Sequence, residues 1–101
     1  MKEIYKISEI KEKLNHVLAA EPVYRAILFG SYAKGSADEN SDVDIVIDSR
    51  GELHGLQFYG VLSSIAESLN KPVDLIEISE LQPNSHILND IIKEGVILYE
   101  R

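Results

Sequence analysis

Two apolar runs and the short link between them constrain this chain most. Residues 23–29 read VYRAILF and residues 42–48 read DVDIVID. Both are rich in β-branched or aromatic side chains, so each is expected as a strand. The link begins Gly30-Ser31 and is too short for a full crossover helix, which points to an antiparallel pair. Alternation along the second run places Asp42, Asp44 and Val46 on one face and Val43, Ile45 and Ile47 on the other.

The other apolar residues recur at helical or strand spacing. Ile4, Ile7, Ile10, Leu14, Val17 and Leu18 recur at helical spacing among charged residues, predicting an amphipathic helix over 8–20 with Ser8 as its N-cap and Pro22 beyond its end. Residues 31–37 are expected as a short helical turn and loop. Phe58, Tyr59, Leu62, Ile65, Ala66 and Leu69 predict a further helix from residue 56 or 57 to 69. Residues 72–78 (PVDLIEI) form a third expected strand, with Asp74, Ile76 and Ile78 on one face and Val73, Leu75 and Glu77 on the other. A last helix over 85–94, stopped by Gly95, precedes a short strand over 96–99. This order predicts an α/β (α+β) fold, with helices packed on one small mixed sheet. At 101 residues the chain is expected as one domain, too short to hold a large substrate in a second.

Between Asp38 and Asp48 stand five acidic residues and no Lys or Arg. Like charge this dense is costly unless a cation sits among it. Residues i and i+2 of a strand project the same way, which puts Asp42 and Asp44 roughly 6–7 Å apart on one face. Mg²⁺ takes one or two protein carboxylates together with substrate phosphates and waters, and such a pair supplies them. Asp74, between Val73 and Leu75 where a buried strand is otherwise apolar, is the candidate third acid for a two-metal site. Gly30 at a strand end lets the backbone approach a ligand, Ser31 offers a hydroxyl and an N–H to a phosphate, and Lys34 adds a positive charge.

Gly30-Ser31, ten residues, then Asp42-Val43-Asp44 followed by Ile45-Val46-Ile47 resembles the signature of the nucleotidyltransferase superfamily that includes DNA polymerase beta. The short chain, the embedded SYAKGSADENSD and the closing KEGVILYE resemble its minimal nucleotidyltransferases, the MntA-like antitoxins encoded beside HEPN-domain ribonuclease toxins. The resemblance implies the nucleotidyltransferase fold in a single minimal domain over residues 1–101. It implies Gly30 and Ser31 as nucleotide-phosphate contacts, Asp42 and Asp44 as Mg²⁺ ligands, and Asp74 as a third metal ligand or the base for the attacking hydroxyl. Two Mg²⁺ ions, ATP as substrate and AMP transfer to a tyrosine hydroxyl of a HEPN-domain toxin follow from it, with the toxin as the partner in a hetero-oligomer. Two alternatives stand beside that reading: an antitoxin that masks the toxin's active site by binding without turnover, and transfer to a small molecule.

Composition removes several other classes. A net charge of −7 without a Lys/Arg cluster disfavours free nucleic acid as a partner, while a metal-chelated nucleotide stays compatible. No cysteine is present, so thiolate chemistry and Cys-type zinc sites are excluded. No apolar run approaches the ~18 residues of a spanning helix, and the opening MKEIYKISEI has no signal-peptide character, so a cytoplasmic protein without membrane attachment is expected. An EF-hand loop starting at Asp38 fails at Val43, where glycine is needed, and at Ser49, where a bidentate Glu belongs. A P-loop starting at Gly30 fails at Ser36, where lysine is required. His16, His54 and His86 show no metal-ligand spacing. Lys34 and Arg25 are expected to be solvated, Asp48 to be a surface residue or turn former, and Tyr32 either to line the nucleotide pocket or to pack in the core.

Overall fold

A computed structural model describes residues 4–101. The first three residues of the MKEIYKISEI segment lie outside the described residues. Helix α1 (Ile7–Ala19) leads into strand β1 (Arg25–Phe29), followed by the short helix α2 (Gly30–Lys34) and strand β2 (Val43–Asp48). Helix α3 (Leu56–Leu69), strand β3 (Val73–Glu77), a 3-10 turn (Ile78–Glu80), helix α4 (His86–Glu94) and strand β4 (Val96–Glu100) complete the order. No helix among the described residues is long and apolar enough to cross a membrane.

The four strands form one mixed sheet in the order β3-β2-β1-β4. β1 runs antiparallel to β2 and β4, as the short link predicts, and β2 runs parallel to β3 through the α3 crossover. On one face, Ala26, Leu28, Val43, Ile45, Ile47, Leu75 and Leu98 meet helices α1 and α3. The helices present Ile10, Leu14 and Leu18, and Val61, Ile65 and Leu69, each an i, i+4, i+8 stripe with at most 1% of its surface exposed. Burying each such side chain contributes about 1.5–3 kcal/mol, so this layer carries most of the stability. The opposite face, carrying Ile27, Phe29 and Val46, is partly covered by α4. Gly95 closes the end of α4 onto β1, where an added Cβ would come 2.8 Å from Ile27 Cγ2.

Boundaries shift from the sequence-based expectations at a few ends. Ser8 is not the cap of α1: the helix starts one residue earlier, at Ile7, and Glu9 accepts a hydrogen bond from the Lys6 N–H at 2.8 Å. The carboxylate of Glu9 reaches back to an N–H that Ser8, already inside the first turn, does not meet. β1 begins at Arg25 rather than Val23, though the Tyr24 N–H still bonds the Asp48 carbonyl. β3 stops at Glu77 because the chain tightens into the 3-10 turn. At α4 the Ser85 hydroxyl accepts from the Leu88 N–H at 3.1 Å and caps the helix.

Candidate active site

The antiparallel register sets Phe29, the last residue of β1, opposite Asp44 of β2. The next residue is Gly30, which turns the chain into α2 with φ +71°. A Cβ added there would overlap Oδ2 of Asp44, so the missing side chain is the seat of that carboxylate. Two demands meet at one position, a left-handed backbone and an empty volume, and only glycine satisfies both. Ser31 and Tyr32 follow in the first turn of α2, where backbone N–H groups lack partners within the helix.

The carboxylates reach this point from two strands and a loop. Asp38 Oδ1 accepts from the Asn40 N–H at 2.8 Å, and the Asp38 N–H donates to Ser41 Oγ at 2.9 Å. This local turn delivers Asp42 to the head of β2, where the Val43 N–H joins the Pro72 carbonyl at 3.1 Å. In the parallel pair, Asp44 lies opposite Asp74. Asp42, Asp44 and Asp74 therefore gather at one corner of the sheet, with Asp44 half-buried and the other two exposed. The exposure of Asp74 differs from the expectation of a buried acid. β3 is an edge strand, and its outer face is open where Asp74 projects.

Burial raises the Asp44 carboxyl to about 6, and the negative charges of Asp74 and then Asp42 push in the same direction. Among the described residues, no three His, Cys, Asp or Glu side chains converge into a ready-made metal cage. What exists is an open, oxygen-only donor set with one carboxylate seated against a glycine. Such a set suits a hard cation that completes its shell with phosphate oxygens and water, as Mg²⁺ does.

Lys34 pairs with Asp90 of α4 at 3.5 Å, and Arg25, at the end of β1 away from Gly30, pairs with Glu100 at 2.7 Å; both are partly exposed surface ion pairs, in keeping with their expected solvation. Asp48 forms a turn as expected, accepting from the Arg50 N–H at 3.0 Å. Tyr32 is buried in the core, with its hydroxyl unpaired among the described residues. Sequence reasoning did not single out the buried pair Ser49 and Glu77. Its signal was an acid at the inward position of an otherwise apolar alternation, Val73, Leu75, Glu77.

Comparison with known proteins bears on the family and the fold. The family model described as "Polymerase beta, Nucleotidyltransferase" matches residues 12–101. A Methanocaldococcus jannaschii protein named "Putative protein adenylyltransferase MJ0435" is 33% identical over 88 residues, covering 85% of this chain and 95% of that protein. Among solved structures, a toxin-antitoxin with AMP-PNP superposes with a TM-score of 0.75 at 24% identity, covering 90% of this chain and 73% of the other. A tri-AMPylated Shewanella oneidensis HEPN toxin in complex with MNT antitoxin gives a TM-score of 0.69 at 20% identity, covering 94% and 73%. At these identities the two structures bear on the fold, and both share it. With a glycine seating a carboxylate at the head of a mixed sheet and the family model spanning nearly the whole chain, this protein belongs to the polymerase beta nucleotidyltransferase family.

Proposed function

We propose that this nucleotidyltransferase moves AMP from ATP to a tyrosine hydroxyl of a HEPN-type ribonuclease toxin and thereby acts as the toxin's antitoxin in the cytoplasm. The observation that carries the reading is the Gly30–Asp44 contact, which holds one carboxylate at the phosphate turn with two more beside it. The name of the M. jannaschii relative supports a protein as acceptor, and the complex of HEPN toxin with MNT antitoxin supports the class of partner.

Asp42, Asp44 and Asp74 would hold Mg²⁺, which when bound neutralises charge on the phosphates and on the oxygens entering and leaving at phosphorus. The rest of the reaction falls to the chain's own groups. Gly30 and Ser31 orient the triphosphate through the free N–H groups of the α2 turn and the Ser31 hydroxyl. The tyrosine oxygen attacks the α-phosphorus in line, a new O–P bond forms, and the bond to the bridging oxygen breaks to release pyrophosphate. Asp74, exposed at the sheet edge, accepts the hydroxyl proton, or serves as the third metal ligand while the proton passes to solvent water. The exposed corner also leaves room for the acceptor to arrive on another protein.

The test is transfer of label from α-labelled ATP to the toxin in the presence of Mg²⁺. The reading predicts labelled toxin with the wild-type chain and none with Asp42→Asn combined with Asp44→Asn. Undiminished transfer by that double variant would remove the catalytic assignment. Neutralisation by the double variant without any label would favour masking by binding instead.

A further inference from the structure

A groove of about 310 Å³ lies between the start of α3 and the 3-10 turn after β3, with Phe58 and Tyr59 from the helix and Glu77 and Glu80 from the strand end and turn in its walls. Glu77 is a buried acid where Val73 and Leu75 lead the pattern to expect an apolar side chain. Its oxygens are taken by neutral donors. The Ser49 N–H reaches both at 3.3 Å, the Ser49 hydroxyl donates to Oε1, and the Ile78 N–H donates to Oε2 at 3.1 Å. Those bonds satisfy the oxygens and leave the charge without a counter-charge, whereas a buried charge is ordinarily paired. Among the described residues the ion pairs are Arg25–Glu100 and Lys34–Asp90, and neither involves Glu77 or Glu80. Arg50, next to Ser49 in sequence, lays its guanidinium over the Tyr24 ring, 4.1 Å from the centroid. The described residues lining the groove include no Lys or Arg. Across residues 51–92 six Asp or Glu stand against one Lys, Lys71.

The helix that lines this acidic groove also carries exposed apolar surface. Phe58 and Tyr59 meet edge to face, with centroids 6.1 Å apart and planes at 85°. Tyr59 is 63% exposed, and Leu56, three residues before it on the same side of the helix, is 89% exposed. Two of the five exposed large apolar side chains among the described residues thus stand in the first turn of α3. Rings and carboxylates together suit an organic cation. A metal ion fits less well, because coordination needs free oxygens and those of Glu77 are taken. A guanidinium is planar and weakly hydrated, and it stacks on a ring while pairing with a carboxylate such as that of Glu80. The apolar surface then decides the source. A free small cation would leave Leu56 and Tyr59 uncovered, whereas the neighbours of an arginine in a polypeptide would cover them.

We infer that this groove docks an arginine side chain of a partner protein, flanked in that partner by apolar residues. The groove lies away from the acidic corner: Glu77 is opposite Ile47, whereas Asp74 is opposite Asp44. Asp74 and Glu77 are roughly 10 Å apart along β3 and project to opposite faces of the sheet. A partner seated here leaves the phosphate turn open. Docking at the groove is independent of the proposed transfer, and no nucleotide enters its test.

The experiment titrates the isotope-labelled full chain with a capped pentapeptide carrying arginine between two leucines, and reads backbone amide shifts by NMR. Saturable shifts confined to residues 53–59 and 77–80 are expected. Glutamine in place of the peptide's arginine should weaken binding about tenfold, and Glu80→Gln and Tyr59→Ala in the chain about threefold each, with amide dispersion elsewhere unchanged. Tyr59→Phe, which keeps the ring, should bind as wild type. Methylguanidinium, the same head group without apolar flanks, should bind about tenfold more weakly than the peptide. No shift at these amides, equal binding of the glutamine peptide, or equal binding of methylguanidinium would each overturn the inference. Shifts of the same amides on concentrating the chain alone would name a second copy as the occupant and overturn it as well.

Discussion

Asp44→Asn should make the metal-free protein more stable while destroying its transfer activity. The Asp44 carboxyl is raised to about 6 from an ordinary 3.8, by burial first and by Asp74 and Asp42 after it. A rise of that size corresponds to at most about 3 kcal/mol, because each tenfold change in acidity is worth about 1.36 kcal/mol. A half-buried group is partly screened by solvent, which brings the working figure to about 1–2 kcal/mol. The sign follows from linkage. Between about pH 4 and pH 6 the folded chain binds more protons at this site than the unfolded chain, so wild-type stability falls as pH rises through that window. Above it the penalty is complete. Asn carries no charge at any pH, so in EDTA at about pH 8 the variant should exceed wild type by about 1–2 kcal/mol, and at about pH 3.5 the two should nearly coincide. Urea denaturation with unchanged m-values is the assay, and the gain at high pH corresponds to a rise in Tm of about 4–8 °C per kcal/mol. Adding Mg²⁺ should stabilise wild type and leave the variant unmoved. A variant less stable than wild type at high pH, or a difference independent of pH, would refute the electrostatic account of this corner.

Gly30→Ala places a methyl group against Asp44 Oδ2 on a backbone at φ +71°, so it should cost about 1–2 kcal/mol from the left-handed strain alone and abolish label transfer; wild-type activity would show that the seat is not needed. Leu14→Ala empties a fully buried site between α1 and the sheet and should cost about 2–5 kcal/mol by urea denaturation, with transfer intact at low temperature. Ser85→Ala removes the cap of α4 and should cost about 1 kcal/mol, read as a lower Tm without any change in Mn²⁺ affinity.

Sequence pattern alone made the order of elements legible, because α1 and α3 carry i, i+4 stripes and β2 is rich in β-branched residues that alternate with its aspartates up to Ile45. The candidate site was legible in its parts: Gly30-Ser31 at a strand end, the Asp42–Asp44 pair, and a third acid on a later strand. Their relation was not. That Gly30 seats Asp44 follows only from the pairing of Phe29 with Asp44, a long-range register that local spacing does not report. Asp74 was expected to be buried because its flanking residues are apolar, yet β3 lies at the sheet edge, and strand order is set by topology rather than by local sequence. Ser8 looked like a cap by residue type, but Glu9 supplied the competing hydrogen bond. Glu77 was visible as an anomaly in the β3 pattern and took its meaning only once Ser49 stood beside it.

The central claim is catalytic turnover at the Asp42, Asp44 and Asp74 corner, with a protein as acceptor. The most direct measurement supplies α-labelled ATP, Mg²⁺ and an excess of HEPN-type toxin to a sub-stoichiometric amount of this chain, and counts label on the toxin per molecule of chain. The account predicts many labels per chain and loss of ribonuclease activity in step with labelling. Toxin silenced only at equimolar chain, with no label and no need for ATP, would contradict it.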